Sequence, residues 1–302
     1  MPFVGLHIHK TAGTSLLRYL EEAAPLRLYG AYSLRNFRLL EQPLWASQNL
    51  TSRDIFWGHS IYESFFYDLS VPTRLFTFLR DPQERILSWF NMLKRRKKLK
   101  KAGLSLEEFA LAHDNSMCAM LVSRFPSLIG DPTARLSEQA MNVLNQMSFV
   151  GFQSHFDQHL PILLELMNIS VRSDLLKKRH NIARSPMQIS KADQDSLAGL
   201  NEEDHLLYAK ASERYIQNPL NPERKVDFHN MVGISEAERS LIKKKQTKSA
   251  QRKYISSLRF SLGDAGVEEH VKIVTGAYAN CSRVLDKLIG KPMLIMDEEA
   301  QD

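Results

Sequence analysis

Three side chains in the first part of the chain are suited to chemistry on an anionic group: Lys10, His59 and Arg80. The lysine and the arginine neutralise negative charge, and the planar guanidinium of an arginine meets a phosphate with two parallel hydrogen bonds. A histidine, whose ordinary pKa is about 6.5, accepts a proton at neutral pH. Each of the three follows a short, mostly apolar run. We therefore predict a cationic site that also removes a proton.

The apolar runs are predicted to be buried strands, at residues 3–8, 54–57, 74–79 and 149–152. Helical patterns separate these runs along the chain. This alternation predicts an α/β fold with a central, mainly parallel sheet flanked by helices. Ligands bind at the carboxyl ends of the strands in such sheets. The lysine, the histidine and the arginine are therefore expected to share one rim.

The loop after the first predicted strand is a candidate anion site. It consists of Lys10, Thr11, Ala12, Gly13, Thr14 and Ser15. A helix is predicted from Ser15 to Glu22, and the free N–H groups and the dipole at a helix N-terminus attract negative charge. The alternative is an ordinary turn between a strand and a helix.

The clearest helical pattern begins directly after Arg80. Asp81 is predicted to cap this helix, Pro82 suits its first position, and Glu84 would complete a capping box. Two further helices are predicted to begin at Ser105 and at Asn201. Three more are predicted over residues 137–147, 156–168 and 235–288. We predict a catalytic domain over residues 1–225 and a helical C-terminal extension over residues 226–302 that packs on, or continues, the same domain.

The composition indicates a globular protein with a large core, since 43% of its 302 residues are hydrophobic. No apolar run reaches the length of about 18 residues that a membrane span needs, and no signal-peptide pattern is present. Cys118 and Cys281 are the only cysteines and form neither a disulfide framework nor a zinc motif. A cytoplasmic location is predicted on these grounds.

The formal net charge is +6 and the isoelectric point is near 9.2. The charge is concentrated in basic blocks at residues 94–101, 177–179 and 243–253. These blocks indicate either anionic partners or solvated helix faces. No zinc-finger spacing or RNA-recognition signature accompanies them, so no nucleic-acid partner is predicted.

Three motifs, HIHKTAGTSL, WGHSIYESF and FTFLRDPQERILSWF, follow one another at the predicted strand ends. In this order and spacing they resemble the sulfotransferases that use 3′-phosphoadenosine 5′-phosphosulfate (PAPS). The resemblance extends to the carbohydrate branch that includes the heparan sulfate 2-O-sulfotransferases. It covers residues 3–217 and is firmest over 3–20 and 55–93. It implies a P-loop-like sulfotransferase fold, PAPS as donor, no metal, and an acceptor hydroxyl, expected on a carbohydrate.

The resemblance also implies roles for individual residues. The loop of residues 10–15 would wrap the 5′-phosphosulfate, and Lys10 would neutralise charge on the bridging oxygen. Arg80 and Ser88 would bind the 3′-phosphate. His59 would be the general base, with Glu63 as the second candidate. Arg179 and Arg184 lie in a basic segment that would close over the 3′-phosphate or, alternatively, is only a solvated loop.

The chain departs from the family pattern at two positions. His9 stands where the family usually has proline, so it either contacts the phosphosulfate or only replaces a turn residue. Trp57 stands where some relatives have a second histidine, and it becomes a candidate for stacking on a sugar or nucleotide. His7 is expected to be structural.

Two other functions are alternatives to sulfuryl transfer. A P-loop kinase or nucleoside triphosphatase has the pattern GxxxxGK[ST], whereas here Lys10 precedes Gly13. A non-catalytic binder of polyanions would not need a lysine, a histidine and an arginine at strand ends. Related eukaryotic enzymes are usually anchored in the Golgi membrane, so a trimmed luminal domain is the alternative to a cytoplasmic enzyme.

Overall fold

A computed structural model gives the fold of this chain. It describes residues 1–23, 27–30, 50–59, 61–67, 71–95, 105–176 and 199–230, together with residues 191, 197 and 240. The helical C-terminal extension predicted over residues 226–302 lies largely outside the described residues.

Five parallel strands form one sheet. The strands are β1 (Phe3–Leu6), β2 (Arg27–Gly30), β3 (Asp54–Gly58), β4 (Arg74–Leu79) and β5 (Phe149–Phe152). Their order across the sheet is β2-β3-β1-β4-β5, and every neighbouring pair is parallel. The predicted α/β fold with a parallel sheet is therefore confirmed. The central strand is β1, so its carboxyl end lies between those of β3 and β4.

Helices cover both faces of the sheet. Those with described bounds are α1 (Gly13–Ala23), α2 (Pro82–Arg95), α3 (Leu106–Ala112), α4 (Ser116–Arg124), α5 (Leu136–Asn145), α6 (Phe156–Leu166), α7 (Ser173–Leu176) and α8 (Glu202–Tyr215). In the described part of the chain, no helix is both long and apolar enough to span a membrane.

Alternating side chains of the strands divide the core into two halves, because successive residues of a strand face opposite sides of the sheet. Val4 and Phe56 pack with residues of α4, α5 and α8 on one face. Phe3 and Trp57 pack with residues of α1 and α6 on the other. Between β3 and β4, the central Gly5 leaves room for large rings, since a Cβ there would lie 2.2 Å from Phe76 Cζ.

Local caps define where the predicted helices begin. Asp81 Oδ1 accepts a hydrogen bond from the N–H of Glu84 at 3.0 Å, and Pro82 is the first residue of α2. Ser105 and Glu108 form a reciprocal capping box at the start of α3. These bonds satisfy N–H groups that have no partner within a helix.

His159 of α6 joins three elements through its two ring nitrogens. Its Nδ1 accepts from the N–H of Phe152 at the end of β5, at 3.0 Å, and its Nε2 lies 3.1 Å from the carbonyl oxygen of Ile216, to which it donates. The bond from Phe152 requires the neutral ring, because only an unprotonated Nδ1 can accept. Burial lowers the pKa of His159 below its usual value, and nearby His155 lowers it further.

The core continues past the domain boundary expected at residue 225. Val226 exchanges two backbone hydrogen bonds with Thr73, at 2.8 and 2.9 Å, just before β4 begins. Phe228 is buried against the same core half as Val4. The chain is thus fixed to the amino edge of the sheet at this point, opposite the rim that carries the candidate site.

Candidate active site

The carboxyl ends of β1, β3 and β4 meet at one rim of the sheet. Leu6, the last residue of β1, is in register with Gly58 of β3 and Thr77 of β4. His59 follows β3 directly, and Arg80 follows β4 directly. The guanidinium of Arg80 donates from Nη1 to the carbonyl oxygen of Lys10 at 3.4 Å. The structure therefore brings the three cationic or titratable residues predicted from the sequence to one edge.

The loop between β1 and α1 turns sharply through two residues with positive φ. Lys10 and Ala12 both have φ 69°, and Gly13 begins the helix. Left-handed residues beside right-handed ones turn successive N–H groups toward a common point, which makes a concave anion site. The hydroxyl of Thr11 is buried and donates to the carbonyl oxygen of Ile8 at 2.8 Å, so it stabilises the loop itself.

Gly13 lies against the imidazole of His7. A Cβ at Gly13 would lie 1.9 Å from His7 Nε2, a distance at which no side chain fits. The pKa of His7 is lowered well below its usual value, first by burial and then by the nearby His59 and Lys10. His7 therefore remains neutral and forms the floor under the loop, as the structural role expected for it requires.

Lys10 extends from the loop toward α2. Its Nζ lies 3.5 Å from Sδ of Met92, and the residue is half-buried. A lysine on a flexible stem delivers a point charge, and a half-buried position lets that charge act through a lower dielectric than bulk water. The ammonium of Lys10 thus lies beside α2.

His59 is held in a single tautomer. Its Nδ1 makes a hydrogen bond to the carbonyl oxygen of His7. A carbonyl can only accept, so Nδ1 carries the proton and the lone pair of the neutral ring lies on Nε2. The main chain of His59 is fixed as well, because its carbonyl oxygen accepts from Nε of the buried Arg124 at 3.1 Å. This arrangement can accept a proton at Nε2.

Arg80 and Ser88 lie along one face of the start of α2. Arg80 Nε forms an ion pair with Glu84 at 3.3 Å, with the two side chains 22% and 61% exposed. Ser88 is half-buried and lies one turn beyond Glu84. Residues four apart on a helix are neighbours, so Arg80, Glu84 and Ser88 form a row. An anion bound by Arg80 and Ser88 would compete with the carboxylate of Glu84.

A family model described as the sulfotransferase family matches residues 2–220, which include every element of this rim. The chain belongs to the sulfotransferase family. A search of curated proteins found no match.

In this sulfotransferase, Trp57 has no face available for a ligand. Its indole is stacked between the rings of His7 and Phe76, each with its centroid 5.2 Å away, and it is 1% exposed. The expectation that Trp57 stacks on a sugar or nucleotide is therefore wrong. The alternation of side chains along β3 points the ring into the core beside β1 rather than toward the rim.

Glu63, the second candidate for the base, is fully buried in a hydrogen-bond network. Its carboxylate accepts from the hydroxyl of Tyr67 and from both the N–H and the hydroxyl of Ser127, the last two at 3.1 and 2.6 Å. Burial raises the pKa of Glu63, and these hydrogen bonds partly offset the rise. The contacts give Glu63 a structural role between two segments of the sulfotransferase core.

Arg85, the second arginine of the RDPQER stretch, also has a structural role that the sequence did not reveal. Its Nη2 lies 3.0 Å from Asp204 of α8 and 2.9 Å from the hydroxyl of Ser116. Asp204 also accepts from the N–H groups of Met117 and Cys118, so it caps α4 from a distant helix. The only signal in the sequence is the place of Arg85 beside the apolar residues of α2, next to Ile86 and four residues before Trp89.

The remaining predicted site residues are Thr14, Ser15, Arg179 and Arg184. Thr14 and Ser15 lie in the first turn of α1, whereas Arg179 and Arg184 lie outside the described residues. Among the residues that the structure describes, no group of three or more His, Cys, Asp or Glu side chains is placed to hold a metal ion.

Proposed function

We propose that this sulfotransferase moves the sulfuryl group of PAPS to a hydroxyl group of a carbohydrate. The observation that carries the proposal is the meeting, at one rim, of an anion-binding loop and a histidine whose lone pair lies on Nε2. The loop accounts for the binding of an anionic donor, and the histidine accounts for the removal of a proton from an acceptor hydroxyl.

The donor would be bound at two places on the rim. The N–H groups of residues 11–15 and the ammonium of Lys10 would face the 5′-phosphosulfate, since a loop of this geometry at a helix N-terminus attracts anions. Arg80 and Ser88 would bind the 3′-phosphate. A planar guanidinium suits that task, because it meets two phosphate oxygens at once.

The transfer would proceed in line between the acceptor oxygen and the bridging oxygen of the donor. His59 Nε2 takes the hydroxyl proton as the new O–S bond forms. The bridging O–S bond breaks, and the electron pair goes to the 5′-phosphate of adenosine 3′,5′-bisphosphate. Lys10 and the loop N–H groups stabilise the charge on that phosphate, as preorganised donors do for developing charge.

The carbohydrate acceptor is the finer part of the proposal and rests on the resemblance of the three strand-end motifs to the carbohydrate branch. A screen with radiolabelled PAPS would test it. Incorporation of label into a glycan, but not into tyrosine peptides or lipids, is expected. Labelling of a peptide or lipid in preference to every glycan would assign another acceptor class.

The donor is tested by calorimetric titration with adenosine 3′,5′-bisphosphate, with AMP and ATP as controls. Binding that depends on the 3′-phosphate is expected, and Arg80→Ala should weaken it at least tenfold. Arg135→Ala is the matched control, since Arg135 pairs with Glu202 and Glu203 on the surface. Mg²⁺-dependent binding of ATP, with none of the bisphosphate, would overturn the proposal in favour of a kinase.

The base is tested by His59→Asn and His59→Ala. Asparagine keeps a donor toward the carbonyl oxygen of His7 but cannot accept a proton at pH 7, so both variants should lose turnover by 100-fold or more and retain bisphosphate binding. His229→Gln is the control, because His229 lies at the opposite edge of the sheet, three residues after Val226. Turnover near that of the wild type in His59→Asn would exclude His59 as the base.

A further inference from the structure

Five aromatic rings, continued in the core by the ring of Phe76 on Trp57, form a stack that runs past the rim to α2. In order they are Trp57, His7, His59, His9 and Trp89. Their successive centroids are 5.2, 4.1, 3.8 and 4.5 Å apart, and the interplanar angles lie between 13° and 27°. The mechanism above uses His59 from this stack and gives no task to His9 or Trp89.

The two faces of the His59 ring are covered by different parts of the chain. His7 covers one face and is itself fixed by Trp57 and by the close approach of Gly13. His9 covers the other face, with a centroid distance of 3.8 Å, the shortest in the stack. The Nδ1 bond to the His7 carbonyl fixes one point of the His59 ring. Contact on both faces is what fixes the plane of that ring.

His9 is in turn held against helix α2. The outer face of its ring stacks on Trp89, which is 6% exposed and packs edge-on against Phe109 at 5.6 Å. Trp89 follows Ser88, a proposed ligand of the 3′-phosphate, along the same helix. The stack therefore connects His59 to the helix that would hold the donor.

We infer that His9 is a positioning residue for the transfer reaction: by closing the outer face of His59, it fixes the direction of the His59 Nε2 lone pair. This inference rests on the proposed function of His59 as the base. A base that is free to tilt spends less time aligned with the acceptor hydroxyl, and a misplacement of about 1 Å costs on the order of 100-fold in rate.

The role requires the flat face of the His9 ring and not its nitrogen atoms. Phenylalanine keeps such a face and removes both nitrogens, whereas alanine removes the face. We therefore expect His9→Ala to lower kcat about 10- to 100-fold and His9→Phe to remain within about threefold of the wild type. The affinity for adenosine 3′,5′-bisphosphate should change less than threefold in both variants.

The experiment compares wild type, His9→Ala and His9→Phe in three measurements on the full chain: kcat and KM with PAPS, calorimetry with the bisphosphate, and NMR of the His59 ring in histidine-labelled protein. In His9→Ala the His59 ring signals should lose the part of the ring-current shift that His9 contributes, and in His9→Phe they should keep a comparable shift. The loss of kcat in His9→Ala should be restored in His9→Phe.

Three results would overturn the inference. His9→Ala could retain wild-type kcat, His9→Phe could be as slow as His9→Ala, or the His59 signals could be identical in wild type and His9→Ala. The second result would mean that a His9 nitrogen contacts the reacting groups. Failure of the proposed function looks different, because the wild type itself would then neither bind the bisphosphate nor use PAPS. The bisphosphate titration also shows whether His9→Ala is folded.

Discussion

Replacing Gly13 with alanine should damage both the stability and the activity of the enzyme. A Cβ there would lie 1.9, 2.1 and 2.2 Å from Nε2, Cε1 and Cδ2 of His7. The His7 ring cannot rotate aside, because Trp57 and His59 cover its two faces. The helix must therefore move away from the sheet, or the His7 ring must push into its neighbours.

The loss of stability in Gly13→Ala is the difference between two opposing contributions. Forcing a methyl group into a packed interior costs about 1–3 kcal/mol. Alanine in place of glycine at the start of a helix offsets at most about 1 kcal/mol of this, through helix propensity and the entropy of the unfolded chain. A contact of 1.9 Å puts the cost near the upper end of that range, so the free energy of unfolding should fall by about 2–3 kcal/mol, or by about 4–12 °C in Tm for a domain of this size.

Turnover should fall further than stability alone explains. The backbone carbonyl of His7 holds Nδ1 of His59, and the His7 ring supports the loop that follows β1. A shift of His7 would therefore move both the proposed base, His59, and the proposed anion-binding loop. We expect kcat/KM to fall at least tenfold at a temperature where Gly13→Ala is fully folded.

The assay pairs thermal unfolding with turnover in Gly13→Ala and in a control, Gly199→Ala. Gly199 is exposed, and a Cβ added there would meet no atom within 4 Å, so alanine should be neutral or slightly stabilising. If Gly13→Ala equals this control in both Tm and kcat/KM, the close packing of Gly13 on His7 does not constrain the site.

Three further predictions concern charge and pH. Asp204→Ala should lower the free energy of unfolding by about 3–5 kcal/mol, because it leaves Arg85 as a buried unpaired charge. A fall in Tm of less than about 3 °C on thermal unfolding would contradict this. The lowered pKa of His159 means that, below about pH 6.5, the unfolded chain takes up a proton that the folded chain resists, so stability falls with falling pH. Urea midpoints at pH 7 and 5.5 should differ less in His159→Gln than in the wild type, and equal differences would refute the assignment. Glu84→Gln should tighten the binding of adenosine 3′,5′-bisphosphate about two- to fivefold, because it releases Arg80 from its exposed ion pair. Weaker binding in calorimetry would instead mean that the Glu84 carboxylate supports the binding of the bisphosphate.

Most of the secondary structure that frames the site could be read from local sequence. Strands β1, β3, β4 and β5 are apolar runs, and α2 and α3 carry their own caps at Asp81 and Ser105. The parallel arrangement followed from the alternation of these elements. From it came the expectation that Lys10, His59 and Arg80 lie at one rim, because the carboxyl ends of parallel strands always share an edge.

Two elements had no adequate local signal. The strand β2 begins with Arg27 and ends with Gly30, so only its two middle residues are apolar and no apolar run marks it. The helix α4 begins after Asn115, whose side chain does not cap it, and Asp204 supplies the cap from α8. A cap that comes from a residue 86 or 87 positions away cannot be predicted from neighbouring residues.

The sequence by itself determined which chemical groups the rim would carry, since these follow from the residues that end each strand. Only the tertiary structure decided their states: the proton on Nδ1 of His59, the neutral ring of His7, and the enclosure of Trp57 between two rings. Tautomer, charge and exposure depend on atoms contributed by other elements. Residue types fix what a side chain can do, and packing between distant segments fixes which of those options it adopts.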